Sequence, residues 1–250
     1  MDLDFLTHTP FWIALGQIVV IDILLGGDNA VVIALACRKL PPALRTRGIL
    51  YGTAGAIVLR VLLIVFAMAL LQLPALKLVG ALLLLWIGVK LLAPDEEAHG
   101  TIEGSDKLLA AIRTIIVADL VMSVDNVIAI AGAAQASHQD HHVLLVSLGL
   151  LISIPIIIWG SQLVLHLMER FPFIITAGGM LLGWIAGGML VTDPLFLHPE
   201  QWPWAPKLGS LNAQGLAEIS RPLYWGAHLG GALLVLALGQ WLKGRRQRAA

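Results

Sequence analysis

Charge is scarce in this chain of 250 residues: 13% are Asp, Glu, Lys or Arg, while 58% are hydrophobic. Soluble domains carry about 25% charged residues. Water cannot solvate so apolar a surface, which excludes an ordinary soluble domain. The charges present balance, 16 basic against 16 acidic, so the chain lacks the basic excess that nucleic acid requires. Cys37 is the single cysteine, which excludes an intramolecular disulfide and any paired-cysteine zinc or redox motif. No Gly-rich loop ending in Gly-Lys-Ser/Thr occurs, so no phosphate-binding loop of the nucleotide-hydrolysing kind is expected. Nor does a basic segment precede the first apolar run. Residues 1–10 hold two Asp and no Lys or Arg, whereas a cleaved signal peptide starts basic, and the run reads as a retained helix.

What the chain does have is apolar runs. About 20 apolar residues cross the roughly 30 Å of hydrocarbon in a bilayer. Seven runs meet that length, at 11–36, 48–71, 74–93, 112–134, 142–167, 172–191 and 222–242. The expected fold is an all-α polytopic membrane protein with seven transmembrane helices, forming one membrane domain over 1–250. Lys and Arg in short loops stay cytoplasmic. Twelve of the 16 fall on one side, Lys77, Lys207 and Arg221 fall on the other, and Arg60 lies inside a span. That split puts the N-terminus outside and the C-terminus in the cytoplasm of a protein of the plasma (inner) membrane.

The sequence also repeats itself. Asp22, Asp28 and Asn29 recur as Asp119, Asp125 and Asn126, displaced by 97 positions, and Gly52 maps to Gly149 in the same way. With one residue inserted, Pro74, Gly80 and Trp86 map to Pro172, Gly178 and Trp184. Repeat 1 thus covers 11–93 and repeat 2 covers 112–191, joined by a cytoplasmic linker at 94–111. An extracytoplasmic segment at 192–221 leads to the seventh helix. Three spans per repeat is an odd number, so the second copy is inserted upside down. Inverted repeats of this kind build many secondary transporters, with substrate sites near the midplane.

The acidic residues carry the chemistry. Of 16, only Asp22, Asp28, Asp119 and Asp125 lie within the spans. Each costs at least about 2.5–3.5 kcal/mol at the bilayer centre, and such residues usually mark ion or substrate pathways. Interhelical polar pairs average only about 0.6 kcal/mol, too little to retain four carboxylates as glue. Asp22 and Asn29 are seven apart and share a helix face, as do Asp119 and Asn126. Gly26 and Gly27 weaken the first helix by about 1 kcal/mol each relative to Ala, and unwinding there would free carbonyl oxygens. The second copy has Met122, Ser123 and Val124 at this place, and the Ser123 hydroxyl is its additional oxygen. Each motif spans about 9 Å along the axis, and inversion overlays the two. Carboxylate, amide and hydroxyl oxygens without Cys or His describe a site for a hard divalent cation, Mn²⁺, Ca²⁺ or Mg²⁺.

The segments GGDNAVVIA at 26–34 and ADLVMSVDNVIAIAG at 118–132 resemble the two signatures of the TerC family of integral membrane proteins, and the resemblance covers almost the whole chain. It implies a link to manganese export and metal homeostasis, with tellurium resistance as the historical name. It also places the functional acids at Asp22, Asp28, Asp119 and Asp125. The resemblance, not the spacing, favours Mn²⁺ over Ca²⁺.

Arg60 at the centre of the second span has Ile157 as its repeat counterpart, and it is expected to pair with a motif carboxylate when metal is absent. Ser153 and Pro155 suggest a kink near the site. The outer loop at 137–142 has imidazoles enough for a metal, but short His clusters are more often solvated. The acidic linker reads as a flexible connection. His166 and His228 read as packing or interfacial residues sooner than as proton relays, Cys37 as a packing residue, and Trp202 and Trp204 as interfacial anchors.

The sequence therefore reads as a secondary transporter, not an enzyme, with no resident cofactor. It exports a divalent cation, Mn²⁺ first, by metal/proton exchange; its partners are the cation, protons and the bilayer. Two other readings remain open, a small-molecule exporter of the LysE type and a membrane assembly or chaperone factor.

Overall fold

In hydrocarbon a backbone N–H or C=O finds no water, so an apolar run satisfies its polar groups internally as a helix. The Leu-, Ile-, Val- and Ala-rich runs of this chain do so. The computed structural model describes residues 9–70, 73–93, 104–135, 142–198, 201–211 and 217–247, with side chains except at 9, 10, 14, 25, 64–70, 104, 124–135, 142–146, 150, 211, 217, 246 and 247. In chain order the elements are α1 (Thr9–Leu25), α2 (Gly27–Cys37), α3 (Pro42–Leu70), α4 (Leu76–Leu92), α5 (Gly104–Gln135), α6 (His142–Arg170), α7 (Phe173–Val191), α8 (Pro194–Leu197), β1 (Gly209–Leu211), β2 (Ala217–Ile219) and α9 (Arg221–Gln247).

The protein is mostly helical, and its helices suit a polytopic membrane protein. Four stretches among the described residues are long and apolar enough to cross a bilayer: Pro42–Leu63, Ser147–Arg170, Phe173–Val191 and Arg221–Arg245. The bent pair Phe11–Leu24 and Gly27–Cys37, turned by 46°, makes a fifth if it is one span. With 17 residues, α4 is about 26 Å long, at the lower end of what crosses a bilayer. The apolar run of α5 is interrupted by Asp119 and Asp125.

Several helices outrun the apolar runs that announce them. α3 starts at Pro42, where the fixed φ of proline suits a first helical residue, and α5 starts at Gly104, inside the segment read as a linker. Hydropathy ends where charge begins, but helical hydrogen bonding does not. Leu44 and Leu108 from these extensions pack against a core of Ile33, Ala36, Cys37, Leu40, Ile49 and Ile115. The segment 192–221 holds α8 and a small antiparallel hairpin pairing Gly209 with Ile219 and Leu211 with Ala217, which departs from an all-α fold.

Two compact units divide the chain. The first comprises Met1–Ala67 and Ile102–Leu167, the second Met68–Thr101 and Met168–Ala250. The first unit exposes apolar side chains and buries a set of polar ones within its apolar core. Leu24, Val58, Leu62, Leu151 and Trp159 are exposed, while Asp22, Asn29, Thr53, Arg60, Asp119, Ser123 and Ser153 are buried. A Cβ at Gly52 on α3 would strike the side chain of Ile115 on α5, and one at Gly149 on α6 would strike Ile18 on α1.

In the second unit α7 packs closely along α9, with Gly183 against Gly231 and Gly187 against Ala227 so tightly that any side chain would collide with backbone. Such small residues let membrane helices approach. His228 is buried there among Trp184, Tyr224 and Trp225, with its Nδ1 2.7 Å from the Tyr224 carbonyl oxygen.

Asp193 ties this unit together. Wholly buried, it caps α8 by accepting from Leu195 N at 2.8 Å. It also accepts from Ala75 N and Leu78 N at 2.9 Å each, holding the first turn of α4. Ala75 is held there in the left-handed region at φ 61°. Asp193→Ala strands three backbone donors, a loss of about 3 kcal/mol, and is expected to lower Tm by about 5–10 °C. Thermal unfolding of purified protein in detergent checks this; an unchanged Tm would show that the three bonds are dispensable.

Candidate functional site

Four helices of the first unit each bring a polar side chain to one buried place. Asp22 comes from α1, Arg60 from α3, Asp119 and Ser123 from α5, and Ser153 from α6. Arg60 Nη1 donates to Asp22 Oδ1 at 2.5 Å, and Nη2 donates to Asp119 Oδ1 at 2.5 Å. Its Nε donates to Ser123 Oγ at 3.1 Å, and that hydroxyl donates to Asp119 Oδ2 at 3.0 Å. Ser153 Oγ donates to Asp22 Oδ2. All four carboxylate oxygens are therefore engaged. Arg60, Asp22 and Asp119 are only 3%, 1% and 7% exposed.

Asp22 and Asp119 are repeat counterparts, so one guanidinium joins equivalent positions of the two copies. The counterpart of Arg60 is Ile157, whose Cδ1 lies 3.7 Å from where a Cβ would stand on Gly26, itself the counterpart of Ser123. Corresponding positions of the two motifs thus meet with unequal chemistry. Counted formally, two acids and one base leave this buried cluster at −1.

The helix break sits one turn beyond Asp22. A Cβ on Gly26 would fall 2.5 Å from the Asp22 carbonyl oxygen, so a side chain at this position would force the backbone of the bend to shift. Gly27 is exposed with open space around it. Helical hydrogen bonding resumes with Ala30 N to Gly26 O at 3.2 Å. In the second motif α5 runs on as one helix through Met122, Ser123 and Val124, and there the extra polar group is the Ser123 side chain.

Asp28 opens α2, half-buried, and its Oδ1 accepts from Asn29 N at 2.8 Å. An acid in the first turn also suits the helix dipole. Asn29 is 4% exposed, and neither atom of its amide has a hydrogen-bond partner among the described residues; the Thr53 hydroxyl is equally buried and unpartnered. Native proteins leave few buried polar groups in this condition. Among the described residues the amide of Asn29 is thus an unengaged oxygen ligand beside the break.

Asp125 and Asn126 lie on α5, and their side chains fall outside the described residues, as do the outer histidine loop at 137–141 and the linker acids at 95–103. The structure thus joins Asp22, Asp119, Ser123 and Arg60, and leaves Asp28 in separate hydrogen bonds. Among the described residues no group of three or more His, Cys, Asp and Glu stands ready for a metal. Between Asp22 and Asp119 stands Arg60 instead. Sequence reasoning noted Ser153 for a kink and missed its bond to Asp22. Its repeat counterpart, Ala56, has no polar group, so the repeat gave no signal; α6 is one helix through Pro155. His166 is exposed.

Comparison with known proteins places these motifs in context. The family model for the integral membrane protein TerC family matches residues 7–247. The chain is 46% identical over 183 residues to the membrane protein YjbE of Bacillus subtilis (strain 168), covering 73% of this chain and 81% of that protein. It is 30% identical over 192 residues to YceF of the same organism, covering 73% and 72%. With the UPF0053 inner membrane protein YgdQ of Escherichia coli (strain K12) it shares 26% identity over 190 residues, covering 67% and 75%. No solved structure matches.

Proposed function

The chain belongs to the TerC family of integral membrane proteins, and from that premise we propose that it is a secondary transporter exporting a divalent cation. Mn²⁺ is the favoured substrate, ahead of Ca²⁺ and Mg²⁺. The ligands in this reading are Asp22, Asp28, Asn29, Asp119, Ser123, Asp125 and Asn126, with protons as the counter-substrate and the C-terminus in the cytoplasm. The observation that carries it is the convergence of Asp22 and Asp119, acids at corresponding places in the two motifs, buried together as two carboxyl groups against the one guanidinium of Arg60. A buried ion pair contributes little net stability and is often replaced by apolar residues without loss. A scaffold or assembly role would not require the second carboxylate.

The architecture in this proposal is seven spans, two inverted repeats of three plus α9. The packing supports it: Gly52 meets Ile115 while Gly149 meets Ile18, and 97 positions separate Gly52 from Gly149 as they do Ile18 from Ile115. Contacts of i with j′ and of i′ with j are what a two-fold relation imposes. Each unit also takes matching helices from both repeats, the first two spans of each in one and the third in the other. Alternating access by moving one part against another around a fixed site is the usual use of such a plan.

Calorimetric titration of the purified protein with Mn²⁺, Ca²⁺ and Mg²⁺, followed by uptake into reconstituted vesicles, tests this reading. Binding and flux strongest for Mn²⁺ support it. Absence of binding to all three, with the protein folded, would return the chain to the assembly reading, and flux of an organic amine in place of metal to the LysE-type reading.

A further inference from the structure

A divalent cation that bridged Asp22 and Asp119 would stand where the Arg60 guanidinium stands. Arg60 gives one nitrogen to each carboxylate, and Ser153 and Ser123 take the two remaining oxygens. Neither acid has an oxygen left unengaged. A cation at that place takes these oxygens as the guanidinium withdraws from both.

The charge count says why this is more than a tie. One arginine and one aspartate make a neutral pair, the economical form of a buried ionic contact. Adding the second aspartate leaves the three side chains at a net charge of −1 in a place almost without solvent, where an uncompensated charge is costly. Replacing the guanidinium by a divalent cation brings the two carboxylates to neutrality. Because Ile157 stands at the counterpart position, only one repeat carries such a group, and its departure frees both acids in one event.

Building on the transport reading above, we propose that Arg60 is a tethered counter-ion that competes with the transported cation for Asp22 and Asp119. The cation enters by displacing the guanidinium, and recapture of the two carboxylates by Arg60 expels the cation. The apparent affinity for the cation is then reduced by the fraction of protein in which Arg60 holds the acids. A purely structural salt bridge makes no such link between arginine and affinity.

The test is Mn²⁺ binding to the full chain in nanodiscs, by calorimetry, for wild type, Arg60→Leu and Arg60→Lys, with Mn²⁺ flux in vesicles as a second readout. Arg60→Lys keeps the positive charge but offers one ammonium in place of two forked nitrogens, so it preserves folding should Arg60→Leu fail to insert. The expected result is a Kd lower than wild type by on the order of tenfold in Arg60→Leu, about 1.4 kcal/mol, and by a smaller factor in Arg60→Lys. In both, flux falls as release slows, so KM and kcat decline together. Equal or weaker Mn²⁺ binding in folded Arg60→Lys or Arg60→Leu overturns the competition while leaving the transport reading intact. Failure of wild type and variants alike to bind any divalent cation overturns the transport reading, and the competition with it.

Discussion

Asp22→Asn and Asp119→Asn, made singly, are expected to reduce Mn²⁺ efflux by at least about a hundredfold while the protein still accumulates in the membrane. Loss of partners that only support metal ligands costs about 10–100-fold in affinity, and a direct ligand should cost no less. Asparagine keeps the volume and one carbonyl oxygen, so it still accepts from Arg60 Nη1 or Nη2 at the positions now 2.5 Å away. The remaining aspartate and Arg60 then form a neutral pair, and insertion becomes easier with one intramembrane charge fewer. Binding fails instead, because neither acid can be spared if the cation must replace a guanidinium by offering more charge. Asp28→Asn and Asp125→Asn are expected to abolish efflux as well. Mn²⁺ tolerance of cells carrying each variant, set against its abundance in isolated membranes, is the measurement. Full tolerance in Asp22→Asn or Asp119→Asn would remove the two acids from the pathway and leave their pairing with Arg60 as architecture.

Much of this arrangement is legible in the sequence because carboxylates in lipid are too costly to be incidental. The apolar spans single out Asp22, Asp28, Asp119 and Asp125, and their displacement of 97 positions reads as a repeat. Glycine chemistry marks the place where α1 gives way to α2. The position of Arg60 relative to the motif is a harder inference. Its place in a span suggests pairing with one acid, but its engagement of both depends on how α3 is turned against α1 and α5. Ser153 is harder still, since nothing in its own span points to Asp22. Asp193 reads as an ordinary loop acid, and only the approach of α4's first turn to α8 makes it a cap. Hydropathy also locates helices better than it locates their ends, because α3 and α5 continue helically into charged sequence. What the chain does locally is written in composition and spacing; what one helix offers another is settled by rotation about helix axes, on which a single sequence is silent.

In vesicles of known orientation, Mn²⁺ flux is expected to follow an imposed pH gradient and to reverse direction when that gradient is reversed at zero membrane voltage. The four motif acids and Arg60 carry a formal charge of −3 without a cation and −1 with one divalent ion. Neither value suits an interior of low dielectric, where isolated charges are expensive. Arg60 recapture neutralises one carboxylate of the Asp22–Asp119 pair, but Asp28 has no ion pair of its own among the described residues. Protons taken up as the cation leaves bring the site closer to constant charge through the cycle. Inward proton movement then supplies the free energy for cation leaving the cytoplasm. The prediction extends to Asp28→Asn: if Asp28 takes up one of these protons, any residual flux in that variant should depend less steeply on the gradient than in wild type. Flux that ignores the pH gradient and tracks voltage alone would mean that the cation crosses uncompensated. In that case the four carboxylates line a uniport pathway, and the guanidinium of Arg60 is the one charge that exchanges with the cation.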